Sequence, residues 1–128
     1  MKKLLAFILS FLLILSTCGV VTFATTESVA KVGDTEYATI DEAIAAWTNG
    51  TTLTLLADVT LSDVITIKST EHHILNLGTF TMTAASGKNA FVIQACGTGS
   101  AERTAITISA DATNPGGINA GNKCVVYY

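Results

Sequence analysis

The side chains able to do chemistry fall into a few groups along the 128 residues. Glu71-His72-His73 sets a carboxylate beside two imidazoles, the raw material of a metal site. Consecutive residues of an extended chain point to opposite faces, so adjacent histidines rarely hold one ion. A surface role at a strand edge is the simpler expectation for the pair. Asp58, Asp63 and Asp111 stand singly at turns, and Arg103 is the only arginine. Glycoside hydrolysis asks for two carboxylates about 5–10 Å apart, and no such pair is legible, so no residue is assigned a catalytic role. Cys96 and Cys124 belong to no Cys-x-x-Cys pattern and have no histidine nearby, which leaves zinc and thiol catalysis without support. Asn49-Gly50-Thr51 satisfies the glycosylation pattern but reads better as a turn. Gly97-x-Gly99 is followed by no helix and makes a poor phosphate cradle. Tyr37 and Trp47 are rings on which a sugar could stack. No cofactor and no metal is expected.

Composition narrows the class. The chain is 49% hydrophobic and 13% charged with one proline, unlike a disordered segment, which needs low hydrophobicity and high charge. A net charge of -3 argues against nucleic acid, whose phosphates call for a dense basic surface. Lys2 and Lys3 precede an apolar run reaching Val21, the pattern of a secretory signal peptide over residues 1–24. Cleavage after Ala24 is the first option and after Ala30 the second. An uncleaved membrane anchor is one alternative. A lipoprotein is another, because Leu15-Ser16-Thr17-Cys18 is similar to a lipobox. Removing residues 1–24 leaves five basic against ten acidic residues, an acidic exported domain of net charge -5. Cys96 and Cys124 are then the remaining pair; export permits a disulfide between them, and buried free cysteines are the other reading.

The elements that position these residues follow from periodicity. Residues 25–30 are a polar lead-in, and 31–37 read as a short strand turning at Gly33-Asp34. Thr39-Ile40-Asp41-Glu42 is a capping box, in which the threonine hydroxyl and the glutamate carboxylate satisfy orphan backbone donors. Ile40, Ala43, Ile44 and Trp47 recur at helical spacing and form one apolar stripe, ended by Asn49-Gly50. Thr39, Ile40, Glu42, Ala43, Ile44 and Trp47 together make a structural cap over residues 31–50. From residue 51 to 128 the period becomes two. Strands are expected over 52–56, 64–68, 73–77, 80–83, 91–94 and 105–109, with a further one at the C-terminal end near Val125. Leu53, Leu55, Ile65, Ile67, Leu75, Leu77, Met82, Ile106 and Ile108 face inward; Thr54, Thr66, Thr81, Thr83 and Thr107 face outward. Segments such as Ala85-Ser86-Gly87-Lys88-Asn89 and Asn114-Pro115-Gly116-Gly117 read as loops. A β-sandwich and a parallel β-helix both fit this pattern.

The segment Val32-Gly33-Asp34-Thr35-Glu36-Tyr37-Ala38-Thr39-Ile40-Asp41-Glu42-Ala43-Ile44-Ala45-Ala46-Trp47 resembles the entry of right-handed β-helix (pectin-lyase-like) surface proteins of gut bacteria. Leu53-Thr54-Leu55-Leu56-Ala57-Asp58-Val59-Thr60-Leu61 resembles the first strand and turn of that family. Leu75-Asn76-Leu77-Gly78-Thr79-Phe80-Thr81-Met82-Thr83 is similar to its Leu-Asp-Leu-Asn-Gly-Lys-Thr-Leu-Thr segment. The resemblance implies an all-β chain, a right-handed parallel β-helix (solenoid) segment with a short N-terminal capping helix. About four coils of roughly 20–25 residues are expected, the C-terminal one uncapped and the solenoid truncated there. The function it implies is an exported non-catalytic structural or binding module of the cell surface or medium, in contact with glycans or host surface components. The alternative is the N-terminal part of a polysaccharide lyase or glycoside hydrolase whose catalytic coils lie beyond residue 128. Lyases of this fold use clustered aspartates with an arginine base, and the single aspartates and Arg103 here depart from that pattern.

Overall fold

Alternation of β-branched and polar residues makes short strands whose inner faces are apolar, and a computed structural model shows how they pair. The structure describes residues 27–94 and 105–127. Strand β1 (Ala30–Val32) and strand β2 (Thr35–Tyr37) form an antiparallel hairpin, followed by helix α1 (Ile40–Ala46). Nine strands follow: β3 (Thr52–Leu55), β4 (Val59–Thr60), β5 (Ile65–Lys68), β6 (His73–Asn76), β7 (Thr81–Thr83), β8 (Phe91–Gln94), β9 (Ile106–Ser109), β10 (Gly117–Asn119) and β11 (Val126–Tyr127). The described chain is all-β in class, with one short helix. That helix is too short to cross a membrane, and no described helix is long and apolar enough to do so.

Among these nine strands, each of the first six pairs in parallel with the strand three places later. The sheet orders are β2-β1-β3-β6-β9, β10-β7-β4 and β11-β8-β5. The chain therefore visits the three sheets in turn, three times over, returning to the first at β6 and at β9. The sheets stay separate: no ladder among the described residues joins one to another, so the strands do not close into a ring. Parallel register stacks like on like. Leu53, Leu75 and Ile108 form one inner column. Val59, Met82 and Ile118 form a second, and Ile65, Phe91 and Val126 a third. Phe91, Leu53, Leu55, Ile67, Leu75 and Met82 are the largest fully buried side chains. Each contributes about 1.5–3 kcal/mol of transfer free energy.

Several details depart from the sequence expectation. The first strand begins at Ala30, inside the expected lead-in, and Val29 is already bonded: its N–H donates to the Tyr37 carbonyl and its carbonyl accepts from Leu56 and Ala57. Strands β4 and β10 are additions, because two or three residues beginning beside turn signals carry no readable alternation. Among the described residues the trios number three, where about four coils are expected. One turn to the next spans 23 residues between Asp58 and Thr81 but 35 between Asn89 and Cys124, so the second turn consumes more chain.

The cap also differs in its bonds. Thr39 is the N-cap, and its hydroxyl accepts from the Glu42 N–H at 3.3 Å and donates to the Glu42 carboxylate at 2.9 Å. The carboxylate thus takes the hydroxyl proton instead of a backbone donor. The helix ends earlier than expected, at Ala46, because Trp47 turns extended with its N–H on the Ile44 carbonyl. Of Asn49-Gly50, only the glycine is left-handed (φ 80), and it turns the chain into β3 after the helix has ended. Ile40, Ala43 and Trp47 are buried and Ile44 half-buried against the same core. The Ser62 hydroxyl donates to the Asp41 carboxylate at 2.7 Å, tying the helix to the corner between β4 and β5. One end of the stack is therefore covered, with β1 antiparallel on β3 and the helix stripe over the apolar interior.

Candidate functional site

Strand parity separates the two histidines. His72 lies outside, its Nε2 2.9 Å from the Thr107 hydroxyl, and its N–H donates to the Asn49 side chain at 2.8 Å. His73 points inward and is only 6% exposed, which corrects the expectation of a surface role. Its Nε2 lies 3.3 Å from the Glu71 carboxylate and its ring stands edge-on to Trp47, centroids 4.9 Å apart. A carboxylate only accepts, so Nε2 carries the proton on that side and the buried Nδ1 is left without a partner. The His73 hydrogen bond, aided by Lys68 at 3.4 Å, holds the Glu71 carboxyl below the usual carboxylate range. Facing opposite ways, the two rings cannot share an ion. Among the described residues no three of His, Cys, Asp and Glu gather into a metal-holding group.

The three turn aspartates are each held in local structure. Asp58 accepts the Thr81 N–H at 2.7 Å, bridging one turn to the next. Asp63 accepts from its neighbour Val64 and from the Lys88 ammonium at 2.7 Å; mainly because of Lys88, its carboxyl sits below the ordinary range. Asp111 accepts from the Asn114 and Thr113 N–H groups, which lower its carboxyl likewise. The structure brings no two of these three carboxylates together in a shared bond. Asn49 also spans turns through His72, and Thr51 of the same sequon bonds back to Thr48, so the Asn-Gly-Thr segment is built into a turn. Asn89 accepts the Cys124 N–H at 3.1 Å in the same manner. By composition alone these corner Asp and Asn residues are loop residues. Their recurrence one turn below a backbone donor is the signal that sequence reasoning missed.

Cys124 is exposed, whereas Cys96 lies outside the described residues, as do Cys18, Gly97, Gly99, Arg103 and the whole of residues 1–24. Trp47 belongs to the interior and offers no face to a ligand. Tyr37 is half-buried and lines an open groove of about 520 Å³ between β2 and α1. Its neighbours there are Ala38, Ala45 and Ala46, with the carboxylates of Glu36 and Glu42 also lining it. Outside the sheets, polar side chains repeat in register. Thr54, Asn76 and Ser109 form one row and Thr60, Thr83 and Asn119 another. Strands in a sheet lie about 4.7–4.9 Å apart, so each row presents hydroxyls and amides at that spacing. The groove and the rows can accept and donate hydrogen bonds to a polyhydroxylated ligand. No family model matches the chain, and no curated protein or solved structure is detectably similar to it.

Proposed function

We propose that this chain is an exported, non-catalytic module of the cell surface or medium that holds glycans on a right-handed parallel β-helix segment. The observation that carries the reading is the groove at Tyr37. A phenol ring beside three alanines offers a flat apolar floor to the C–H face of a sugar, and Glu36 and Glu42 offer acceptors to its hydroxyls. The β-helix reading rests on the recurrence of parallel pairing every third strand. Parallel strands of one sheet are joined by right-handed crossovers in nearly all proteins, which supplies the hand.

Export rests on Lys2, Lys3 and the apolar run behind them. Cleavage after Ala24 leaves β1 whole. A cut after Ala30 would remove Val29, whose backbone groups bond Tyr37, Leu56 and Ala57.

Electrophoresis through gels carrying a panel of soluble polysaccharides, with assay of released sugars, tests the module directly. At least one polysaccharide retards the protein without releasing reducing or unsaturated ends, and Tyr37→Ala weakens that retardation about tenfold, the order expected for losing one stacking ring. Reproducible sugar release abolished by Arg103→Ala would overturn the reading in favour of an enzyme.

A further inference from the structure

The groove beside Tyr37 is built from the edge of the hairpin and one face of the helix. Glu42, Ala45 and Ala46 stand at i, i+3 and i+4 of α1, so they share the side turned away from the buried Ile40 and Ala43. Glu36, Tyr37 and Ala38 come from β2 and the residue after it. The small alanines leave room above the floor. A volume of about 520 Å³ falls among ligand pockets, which run to about 300–1,000 Å³.

Charge in this groove has one sign. The charged groups that line it are the Glu36 and Glu42 carboxylates, with no lysine, arginine or histidine beside them. Residues 27–50 carry five acidic side chains, Glu27, Asp34, Glu36, Asp41 and Glu42, against one basic, Lys31. Lys31 stands opposite Glu36 in the hairpin register, yet among the described residues it makes no ion pair with either glutamate. Asp41, Asp58, Asp63, Glu71 and Asp111 are each bonded to the protein's own donors. Glu36 has no such donor among the described residues, and Glu42 gives one carboxylate oxygen to the Thr39 hydroxyl and keeps the other open.

We propose that the groove selects glycans with free amino groups, chains of 2-amino-2-deoxy sugars whose nitrogens carry no acyl group. The inference rests on reading the groove as a glycan site and adds the class of sugar. An ammonium donates charge-assisted hydrogen bonds to the Glu36 and Glu42 carboxylates, and the same cation is drawn to the face of the Tyr37 ring. A neutral sugar keeps the stacking surface and the hydroxyl bonds but loses the attraction between opposite charges. Acetylation of the nitrogen does the same. Uronic acids and sulfated sugars meet repulsion instead, because a cleft lined by one sign of charge concentrates the field of that sign.

Isothermal titration of the chain as processed by the expressing cell, at low salt and mildly acidic pH, tests the selectivity. The probes are hexamers of glucosamine, of N-acetylglucosamine and of lysine. The glucosamine hexamer is expected to bind about tenfold tighter than its acetylated form, the sum of two exposed charge pairs and a ring contact. Glu36→Gln and Glu42→Gln each cut that preference about three- to fivefold with unchanged circular dichroism, and the double variant abolishes it. Asp111→Asn removes one negative charge on the corner between β9 and β10, keeps the acceptor oxygen for Thr113 and Asn114, and leaves the preference intact. Equal affinities for the two sugar hexamers, both weakened by Tyr37→Ala, would overturn the amine selectivity and leave the glycan reading standing. Binding of neither would also overturn it, with the glycan reading then decided by the polysaccharide gels alone. A preference that survives the double variant, or hexalysine bound as tightly as the glucosamine hexamer, would reduce the effect to overall charge and overturn the proposal.

Discussion

Replacing Trp47 by alanine lowers the stability of the protein by about 3–5 kcal/mol, the range for deleting a buried tryptophan. The ring closes the capped end of the stack: it is 6% exposed, its Nε1–H donates to the Thr51 carbonyl at 3.0 Å, and it meets His73 edge-on. Three losses combine in the variant. The apolar area vanishes, a cavity opens under α1, and His73 loses its neighbour while its Nδ1 remains unpaired. The Thr51 carbonyl is spared, because the Ile74 N–H also donates to it. For a domain of this size the loss shifts the thermal midpoint on the order of 15 °C or more. Trp47→Phe separates the causes, since it keeps most of the volume and loses only the N–H donor, costing about 1–2 kcal/mol. Thermal melts of the two variants beside the wild type give the answer. An unchanged midpoint for Trp47→Ala contradicts the placement of the ring in the core.

Gly116→Ala is expected to cost about 3 kcal/mol or more, the upper end for overpacking, because the obstacle is backbone. A methyl group on Gly116 would overlap the Phe80 carbonyl oxygen and lie 2.8 Å from the Phe80 nitrogen. Phe80 cannot retreat. Its N–H donates to Leu77 within the turn at Gly78, whose carbonyl in turn accepts from Gly116 and Asp111. At Gly117, the next residue, a methyl group would meet nothing within 4 Å, so Gly117→Ala changes stability by less than about 1 kcal/mol. Urea unfolding of the pair reads the difference. Equal, small effects contradict the close approach of the Gly116 segment to the β6–β7 turn.

How far the fold can be read from residues depends on the length of each signal. In β3, β5 and β6 the alternation assigns faces: Leu53, Leu55, Ile65, Ile67 and Leu75 are buried as their parity implies, and so is Met82 in the shorter β7, whereas in β9 Ile106 is half-buried and Ile108, also expected inside, is 39% exposed. The same parity, extended back from Leu77 and Leu75, puts His73 inside. An imidazole reads as polar and hence superficial, although an edge-on contact with Trp47 and one carboxylate partner are enough to hold it in the interior. Strands β4 and β10 give no such signal, being held by the ladders of β7 between them. Pairing itself is less legible, since alternation sets the face a residue takes but not the strand it meets. A sandwich and a stack of parallel strands share the same local pattern.

The site is legible in part. Tyr37 stands out in the sequence as a ring available to a sugar, while the groove that gives it neighbours depends on how α1 docks beside β2. No local spacing encodes that docking. The aspartates at the corners fall at turns as their composition implies, but a bond such as that from Asp58 to Thr81 reaches across successive turns of chain. Such a bond becomes visible only once the strands are paired.

The fold and its β-helix reading rest on parallel pairing between strands three places apart, and backbone nuclear Overhauser effects test it most directly. On isotope-labelled protein, close amide and Hα contacts should join Thr52 and Leu53 to residues 74–76, and Ile65 to Thr66 should meet Phe91 and Val92, all in parallel register. Antiparallel contacts between successive strands, such as β3 with β4 or β5 with β6, would contradict the pairing and return the chain to a sandwich.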